Sequence, residues 1–445
     1  MAGAALFLAL YFWAAGDSWM KFSLEFITDR PPAWYFLLPV FWVILLVELY
    51  DIHRASKVSE TLKGIGLATL IYALVYLLIY FSSAPGSLPR RGVSFFIVFA
   101  ALSTLVWRLV YIRLFTAPHL LRRVLIVGAG HAGRTIVKVI SEQWPPPFNV
   151  IGLIDDDPQK LGNKIGGFSI LGNSNDLLQK IEELQITDLI LAISGEMRGE
   201  MFQSILTAQE KGVNLTPMPQ VYEEILMRVP IFLLEAEWIV RSFVEKTHNS
   251  TIYHLSKSLI DFGGGLIGTL IMAGFFPLIS LVILLESGFP IFFTQNRLGR
   301  GGQPYKIFKF RTMERDAEKE GEARMAEEHD DRVTSFGRFL RKTHLDELPQ
   351  FINVLRGEMS LVGPRAERPQ LVAYFQKEIP FYRARLLVKP GITGWAQINY
   401  GYAGTVDQTA IKLEYDLYYI EHRNLFMDIS IILRTIWTVL GLKGQ

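Results

Sequence analysis

Two adjacent carboxylates, Asp346 and Glu347, are the residues of this chain whose types and spacing most directly suggest chemistry. Basic residues occur in short motifs on either side of them: Lys309, Arg311, Arg341 and Arg365. Guanidinium groups make forked hydrogen bonds to phosphate oxygens, and carboxylates bind Mg²⁺ together with phosphates. We therefore predict a site for a phosphate ester and a divalent cation. The alternative is that the two acids are solvated charges at the start of a helix.

The composition indicates a membrane protein with large aqueous parts. Of its 445 residues, 50% are hydrophobic and 20% are charged, and the mean hydropathy is +0.25. This length fits two or three domains. A formal net charge of only +2 gives no reason to expect a nucleic acid as partner. The absence of cysteine excludes disulfides, thiolate chemistry and cysteine-based zinc sites.

Apolar stretches at 2–15, 34–50, 65–81 and 93–115 must position the soluble parts against a membrane. The last three are about long enough to span a bilayer, whereas the first is short. We predict a transmembrane four-helix bundle over 1–120. A signal peptide is the alternative for the first stretch, although it lacks a basic leader. The distribution of lysine and arginine between the loops favours a cytoplasmic location for both ends of the bundle.

From residue 121 the pattern alternates between strands and helices, which predicts a Rossmann-like module with a parallel sheet over 121–245. Gly128, Gly130 and Gly133 follow an apolar strand and open a helix, and Asp155 ends the next strand. In this context a glycine-rich turn can hold a dinucleotide pyrophosphate at a helix N-terminus. Any tight turn between a strand and a helix could use the same glycines, so nucleotide binding and a structural turn both stay open.

Pro277 lies inside a long apolar segment at 260–286. Proline removes a backbone donor and clashes with the preceding turn, so we expect the helix to kink or turn back there. If the segment crossed the membrane, the domains before and after it would lie on opposite faces. A re-entrant helix keeps both domains in the cytoplasm, where nucleotides are available.

The chain from residue 257 onward resembles the bacterial sugar transferase family, the polyprenyl-phosphate hexose-1-phosphate transferases. The matching motifs are 292–295 with Arg297 and Gly299, 308–313, 336–338, 345–350, Asn353 with Val354, 359–365 and 389–397. The N-terminal half is similar to that of the large members, which carry four membrane helices and a Rossmann-like module. One departure is Phe276, which stands where many members have a serine before the helix-breaking proline.

The resemblance implies an α-rich monotopic catalytic domain over 255–445 with a re-entrant helix. It implies transfer of a hexose 1-phosphate from a UDP-hexose to undecaprenyl phosphate, with Mg²⁺ as cofactor and UMP as product, at the start of polysaccharide assembly. Asp346 would be the nucleophile that forms a sugar-phosphoryl aspartate, and Glu347 would hold Mg²⁺ with it. The basic residues would bind substrate phosphates: Lys309, Arg311, Arg341 and Arg365.

The expected location is the bacterial inner membrane, with several membrane helices, contact with the lipid bilayer and soluble domains in the cytoplasm. Whether the chain forms a homodimer and which hexose it transfers stay open. Two other functions also remain. Tyr253 and Lys257 fit the YxxxK pattern of short-chain dehydrogenases, which would make the chain a membrane-tethered NAD-dependent nucleotide-sugar dehydratase or epimerase. A non-enzymatic membrane scaffold that senses a nucleotide is the other.

Overall fold

The computed structural model describes residues 1–16, 21–46, 58–82, 89–115, 121–144, 146–193, 195, 197, 199–233, 251–314, 332–401 and 404–440. The chain divides into two compact units, Met1–Thr216 and Pro217–Gln445. The predicted domain limits at 1–120, 121–245 and 255–445 stay predictions.

Apolar helices open the first unit. They are α1 (Ala2–Ala15), α2 (Leu24–Asp29), a 3₁₀ helix (Ala33–Leu37), α3 (Leu38–Leu45), α4 (Val58–Ser82) and α5 (Arg90–Phe115). Thr61–Phe81 and Arg90–Arg113 are long and apolar enough to cross a membrane, whereas Ala2–Ala15 and Ala33–Leu45 are shorter. The second apolar stretch of the sequence is described only as far as Leu46. A bundle of four spanning helices therefore stays a prediction.

Aromatic side chains fix how these helices pack. The Trp42 indole N–H donates to Thr104 Oγ1 at 3.1 Å, and the Tyr35 hydroxyl donates to the Gly92 carbonyl at 2.8 Å. A buried polar group without a partner is costly, most of all in an apolar core. These two hydrogen bonds therefore fix the register of α3 and of the preceding 3₁₀ helix against α5.

The remainder of the first unit alternates between strands and helices, as predicted. Its elements are β1 (Arg123–Val127), α6 (His131–Ser141), β2 (Asn149–Ile154), β3 (Lys164–Ile165), β4 (Phe168–Gly172), α7 (Leu177–Glu183), β5 (Asp188–Leu191), α8 (Gly199–Glu210) and β6 (Asn214–Pro217). The sheet order is β3-β4-β2-β1-β5-β6. β1 pairs in parallel with β2 and β5, β2 pairs in parallel with β4, and β3 pairs with β4 in the antiparallel direction. A sheet buried on both faces explains the continuous apolar run of β1.

The second unit is mostly helical. It contains α9 (Met218–Leu226), α10 (Thr251–Ser287), β7 (Phe292–Leu298), β8 (Pro304–Phe310), α11 (Ser335–Lys342), a 3₁₀ helix (Leu345–Glu347), α12 (Gln350–Leu355), β9 (Ser360–Val362), α13 (Pro369–Glu378), a 3₁₀ helix (Tyr382–Leu387), β10 (Gly391–Thr393), α14 (Trp395–Asn399), α15 (Val406–His422) and α16 (Leu425–Leu440). β7 and β8 form an antiparallel hairpin, and β9 and β10 a parallel pair.

The core of the second unit includes chain from before α10. Val229 and Ile231 are almost fully buried in the cluster built on α13, α14 and α15. The Val229 amide donates to the Glu414 carbonyl at 3.1 Å, and the Trp395 indole N–H donates to the Met227 carbonyl at 2.9 Å. The residues that follow α9 are therefore an integral part of this unit.

Helix α10 has 37 residues and continues through Pro277, so the described backbone does not turn back at the proline. The buried Ser280 hydroxyl lies 2.6 Å from the Phe276 carbonyl and 3.1 Å from that of Pro277. A serine hydroxyl bonded one turn back often bends a helix slightly. The carbonyl that loses its N–H donor at Pro277 is that of Ala273, so Ser280 does not replace a hydroxyl at residue 276.

One face of α10 packs on the unit and another is exposed. A Cβ at Gly268 would overlap the ring of Phe351, so glycine here lets α12 approach closely. Phe276 stacks on Phe292 and Phe310 with ring centroids 5.7 and 6.3 Å away. On the exposed face, large apolar residues recur at helical spacing: Leu255, Leu259, Phe262, Leu266, Leu270, Leu278, Leu281 and Leu285. Such a face is typical of a helix in contact with lipid.

Candidate active site

The carboxylate pair lies on the 3₁₀ helix Leu345–Glu347, between α11 and α12. His344 enters this helix with φ of +57°, a left-handed conformation that is unfavourable for a residue with a Cβ. Asp346 is 7% exposed and the Glu347 side chain 16%. This burial contradicts the alternative of two solvated charges at a helix start.

Two cations converge on one oxygen of Glu347. Lys309 Nζ lies 2.6 Å from Glu347 Oε1, and Arg365 Nη2 lies 3.2 Å from the same atom. Lys309 is 20% exposed, whereas the Arg365 side chain is 51% exposed. Lys309 is therefore largely committed to the carboxylate, and Arg365 keeps part of its guanidinium accessible to a ligand.

The two carboxylates have opposite pKa shifts. Burial raises the pKa of Asp346 to about 6, although Lys309 acts to lower it. Burial also acts to raise the pKa of Glu347, but Lys309 and Arg365 together hold it well below its usual range. Neighbouring acids whose environments separate their pKa values commonly have different roles in one reaction. Near pH 7 Asp346 is mostly ionised but weakly stabilised as an anion, which suits a nucleophile.

Buried Asn353 positions the strand that carries Lys309. Its Oδ1 accepts from the Phe308 amide at 3.1 Å, and its Nδ2 donates to the Lys306 carbonyl at 2.8 Å and to Glu358 Oε2 at 2.7 Å. These bonds tie β8 to α12, which follows the carboxylate pair directly. Asn353 is fully buried. The family motif includes this residue, but its type alone does not reveal the role.

The other two arginines have different surroundings. Arg341 Nε donates to Thr312 Oγ1 at 2.9 Å, and its charge acts to lower the pKa of Asp346. Arg311 is buried, and its Nη2 donates to the Ser287 carbonyl at 2.6 Å, to Ser287 Oγ at 2.8 Å and to the Gly288 carbonyl. Arg341 thus belongs to the surroundings of Asp346. Arg311 binds the C-terminal end of α10, and a phosphate contact for it stays a prediction.

The glycine-rich turn after β1 is explained largely by packing. Gly128 has φ of +107°, and a Cβ there would overlap the Ala192 carbonyl. A Cβ at Gly133 would overlap the carbonyl of Gly128, whereas Gly130 has open space around it. Asp155 accepts from the Ala129 amide at 2.7 Å and forms an ion pair with Lys160 at 3.1 Å. Asp155, predicted as part of a dinucleotide site, therefore holds the turn itself, and nucleotide binding stays a prediction.

The YxxxK residues form a polar network within the second unit. Lys257 Nζ lies 3.1 Å from Asp428 Oδ2, to which the Tyr253 hydroxyl also donates at 3.0 Å. Lys257 also donates to the Val362 carbonyl at 3.2 Å. In short-chain dehydrogenases this pair would lie beside a dinucleotide in the nucleotide-binding domain. The observed network ties α10 to α16 instead, so it gives the dehydratase alternative no support.

Potential metal ligands also lie away from the carboxylate pair. Within the part of the chain that the structure describes, Glu223, Glu421 and His422 bring their ligand atoms within 4.8 Å of one another. His422 Nε2 lies 3.6 Å from Glu223 Oε2, which is a sufficient structural reason for the group. Mg²⁺ binding by Asp346 and Glu347 stays a prediction; in proteins one or two carboxylates commonly share this ion with substrate phosphates.

Comparison with known proteins identifies two matching families. Residues 252–442 match the family described as "Bacterial sugar transferase", and residues 46–219 match one described as "CoA-binding domain". The chain is 31% identical over 421 residues to an "Undecaprenyl-phosphate glucose phosphotransferase" of Komagataeibacter xylinus, covering 90% of this chain and 75% of that protein. It is 32% identical to a "UDP-glucose:undecaprenyl-phosphate glucose-1-phosphate transferase" of Escherichia coli (strain K12), over 71% of this chain and 67% of that protein.

A third relative is similar over 191 residues. It is a "UDP-N-acetylgalactosamine-undecaprenyl-phosphate N-acetylgalactosaminephosphotransferase" of Aeromonas hydrophila, 44% identical over 43% of this chain and 45% of that protein. The second unit, with its buried acid pair among cations, is that of a membrane-associated transferase. The chain belongs to the bacterial sugar transferase family, which confirms the resemblance drawn from the motifs.

Proposed function

We propose that this protein transfers a hexose 1-phosphate from a UDP-hexose to undecaprenyl phosphate and releases UMP, as the first step of polysaccharide assembly at the bacterial inner membrane. The observation that carries the proposal is the buried Asp346 beside a Glu347 held by Lys309 and Arg365. Three cations, Lys309, Arg341 and Arg365, surround two carboxylates, so the site favours an anionic ligand. The relatives named for this reaction support the same conclusion.

The chemistry divides into two displacements at one phosphorus. In the first, an Asp346 carboxylate oxygen attacks the β-phosphorus, the bond from phosphorus to the bridging oxygen breaks, and UMP leaves with that electron pair. In the second, an oxygen of undecaprenyl phosphate attacks the same phosphorus and the carboxylate leaves. The diphosphate of the UDP-hexose and the phosphate of the lipid therefore never have to react directly with each other, because the Asp346 carboxylate attacks the diphosphate first.

The surrounding residues would have separate tasks. Arg365 and Arg341 would hold phosphate oxygens as charge develops in the transition state. Lys309 would keep Glu347 ionised and fixed. Mg²⁺, held by Glu347 and Asp346 with the substrate phosphates, would neutralise part of the diphosphate charge. A homodimer and the choice of hexose stay outside what the site supports.

A labelled donor tests the covalent step. Full-length protein in lipid nanodiscs, given UDP-hexose labelled in the β-phosphate but no acceptor, should release about one UMP per molecule and keep the label. Hydroxylamine, which cleaves acyl phosphates, should remove the label, and undecaprenyl phosphate should move it to lipid. Asp346→Asn should give neither the UMP burst nor the labelled protein. Asp407→Asn, which changes an exposed acid on α15, is the matched control and should behave as wild type.

The outcomes separate the step from the function. Release of UMP only in the presence of undecaprenyl phosphate, with no labelled protein, would refute the covalent aspartate while leaving the overall transfer intact. No lipid product across a panel of UDP-hexoses would refute the transferase function itself. An altered sugar still attached to UDP would favour the dehydratase alternative.

We also propose that α10 enters and leaves the membrane on the cytoplasmic face. A helix of 37 residues is about 55 Å long if straight, more than the roughly 30 Å of a bilayer core. Yet both ends contact the same compact unit, Lys257 through Asp428 and Ser287 through Arg311. A crossing helix would place these contacts on opposite faces of the membrane. Contacts with one unit at both ends therefore favour a re-entrant arrangement, in which the helix would bend at Pro277, ten residues before its end.

Single-cysteine labelling tests this topology on the cysteine-free chain. Ser258→Cys and Arg300→Cys, both exposed, should be labelled only after a membrane-impermeant maleimide is given access to the cytoplasm. Asp29→Cys, at the last residue of α2 and on the predicted opposite face, should react in intact cells. Labelling of Arg300→Cys in intact cells would show that α10 crosses the membrane.

A further inference from the structure

The loop that carries Arg365 is held by cations that bind its backbone. Lys257 on α10 donates to the Val362 carbonyl at 3.2 Å. Arg385 Nη2 donates to the Arg365 carbonyl at 2.9 Å, and Arg297 Nη1 on β7 donates to the Ala366 carbonyl at 3.0 Å. Three separate elements thus fix three carbonyls within five residues.

Backbone packing adds to this restraint. The Gly391 amide donates to the Pro364 carbonyl at 2.9 Å, and the Gly363 amide donates to Thr393 at 2.9 Å. A Cβ at Gly363 would overlap the Lys389 carbonyl, so only glycine allows the two segments to lie this close. The backbone around residue 365 therefore has little freedom, although the Arg365 side chain is half exposed.

Arg385 is the most deeply buried of the three cations. It is 7% exposed, and its Nη1 donates to the Tyr382 hydroxyl at 2.8 Å. Its Nη2 donates to Asp416 Oδ2 at 2.9 Å as well as to the Arg365 carbonyl. Asp416 is almost fully buried on α15. The guanidinium is thus held by three hydrogen-bond partners, and its Nη1 also lies 3.7 Å from Glu367 Oε1.

We propose that Arg385, oriented by Asp416 and Tyr382, is a positioning residue that fixes the Arg365 backbone and so directs the Arg365 guanidinium at Glu347 and the substrate phosphate. This inference rests on the proposed function, because Arg365 is taken to contact the diphosphate. Small displacements of a phosphate-binding group reduce a rate strongly, since catalysis depends on accurate placement. A lysine at residue 385 would keep the charge near Asp416 but could not reproduce three directed contacts in one plane.

A double-mutant cycle in the transfer assay tests the coupling. Arg385→Lys should lower kcat/KM about tenfold in the wild-type background, on the scale of one charged hydrogen bond. In the Arg365→Ala background the same substitution should change kcat/KM by less than about twofold, because the group it positions is gone. A merely structural role would lower the active fraction by the same factor in both backgrounds. Arg383→Lys, an exposed neighbour on the same 3₁₀ helix, is the control and should have no effect.

Each outcome has a defined meaning. Tenfold losses in both backgrounds would overturn the inference, as would wild-type activity of Arg365→Ala. If wild type itself transfers no sugar phosphate, the proposed function fails first, and this separates the two failures. Should Arg385→Lys not fold, Tyr382→Phe removes only the hydroxyl that accepts from Nη1. It should lower kcat/KM about threefold in wild type and not at all with Arg365→Ala, and equal losses in both backgrounds would again overturn the inference.

Discussion

Replacing Asp346 by asparagine should abolish transfer and at the same time stabilise the protein. Burial raises the pKa of Asp346 to about 6, above the ordinary value of 3.8 that it has in the unfolded chain. A raised pKa means that the protonated acid contributes stability that is fully present below pH 3.8. That contribution is lost as the pH rises through 6. At neutral pH the folded protein therefore contains a strained buried anion, which asparagine removes with little change in shape.

The magnitude follows from the two pKa values. A difference of about two pH units corresponds to roughly 3 kcal/mol at pH values above 6, since one unit is about 1.4 kcal/mol. At pH 4.5 the folded carboxyl is mostly protonated and so avoids most of this cost, and the same relation gives about 1 kcal/mol. The stability gap between Asp346→Asn and wild type should therefore widen by about 2 kcal/mol from pH 4.5 to pH 7.5. For a domain of this size, that is a Tm difference of roughly 4–8 °C.

Thermal unfolding in nanodiscs at both pH values, paired with the transfer assay, measures the two effects together. Burial also raises the pKa of Asp416 to about 6 and of Glu414 to about 7, but both groups are present in either protein and cancel in the difference. Asp407→Asn should leave the Tm unchanged at both pH values. If Asp346→Asn is less stable than wild type at pH 7.5, or if their Tm difference does not change with pH, the buried Asp346 anion does not destabilise the fold.

Three further predictions concern neighbouring groups. The rate of transfer should fall about tenfold per pH unit below pH 6, because Asp346 must be ionised to attack. In Lys309→Met this fall in rate should begin at a higher pH. A pH–rate profile unchanged by the substitution would exclude Lys309 as the cation that lowers the Asp346 pKa. Arg365→Lys should cost about 2 kcal/mol of transition-state stabilisation, measured as kcat/KM, because an ammonium group cannot make the two parallel hydrogen bonds that a guanidinium makes to a phosphate. A near-normal kcat/KM would show that Arg365 does not contact the substrate. Gly133→Ala should destabilise the first unit, whereas Gly130→Ala, with open space around it, should not; equal melting curves for the two would contradict the packing argument.

The sequence alone was enough to recognise the family and to single out the acid pair as a candidate site. Asp346 and Glu347 stand in an ordered series of motifs, and such a series depends on residue type and order, which the sequence contains completely. The alternation of β1, α6 and β2 was also readable, because a sheet buried on both faces needs continuous apolar strands. Long apolar segments could also be recognised, because a helix that spans a bilayer needs about 20 mostly apolar residues in a row.

Only the tertiary structure decided which charges act together. Lys309 and Arg365 are far from Glu347 in sequence, yet both lie on one of its oxygens, while Arg311 of the same motif as Lys309 binds the end of α10. Strand alternation would place Lys309 and Arg311, two residues apart, on the same face, but β8 ends at Phe310. Which of the two cations meets the acids therefore depends on how β8 and the residues after it pack. The sequence does not show which cation contacts the acids, because residue type alone does not reveal how deeply a side chain is buried or which groups it contacts.

The same reason explains Asp155 and Arg385. Asp155 has the sequence spacing of a ribose ligand, but its carboxylate accepts from the Ala129 amide and pairs with Lys160. Arg385 lies in no motif, yet it is buried against Asp416 and donates to the Arg365 carbonyl. Residue type determined what each group is able to do. The packing of distant segments, which sets distance, exposure and competing partners, determined what it does.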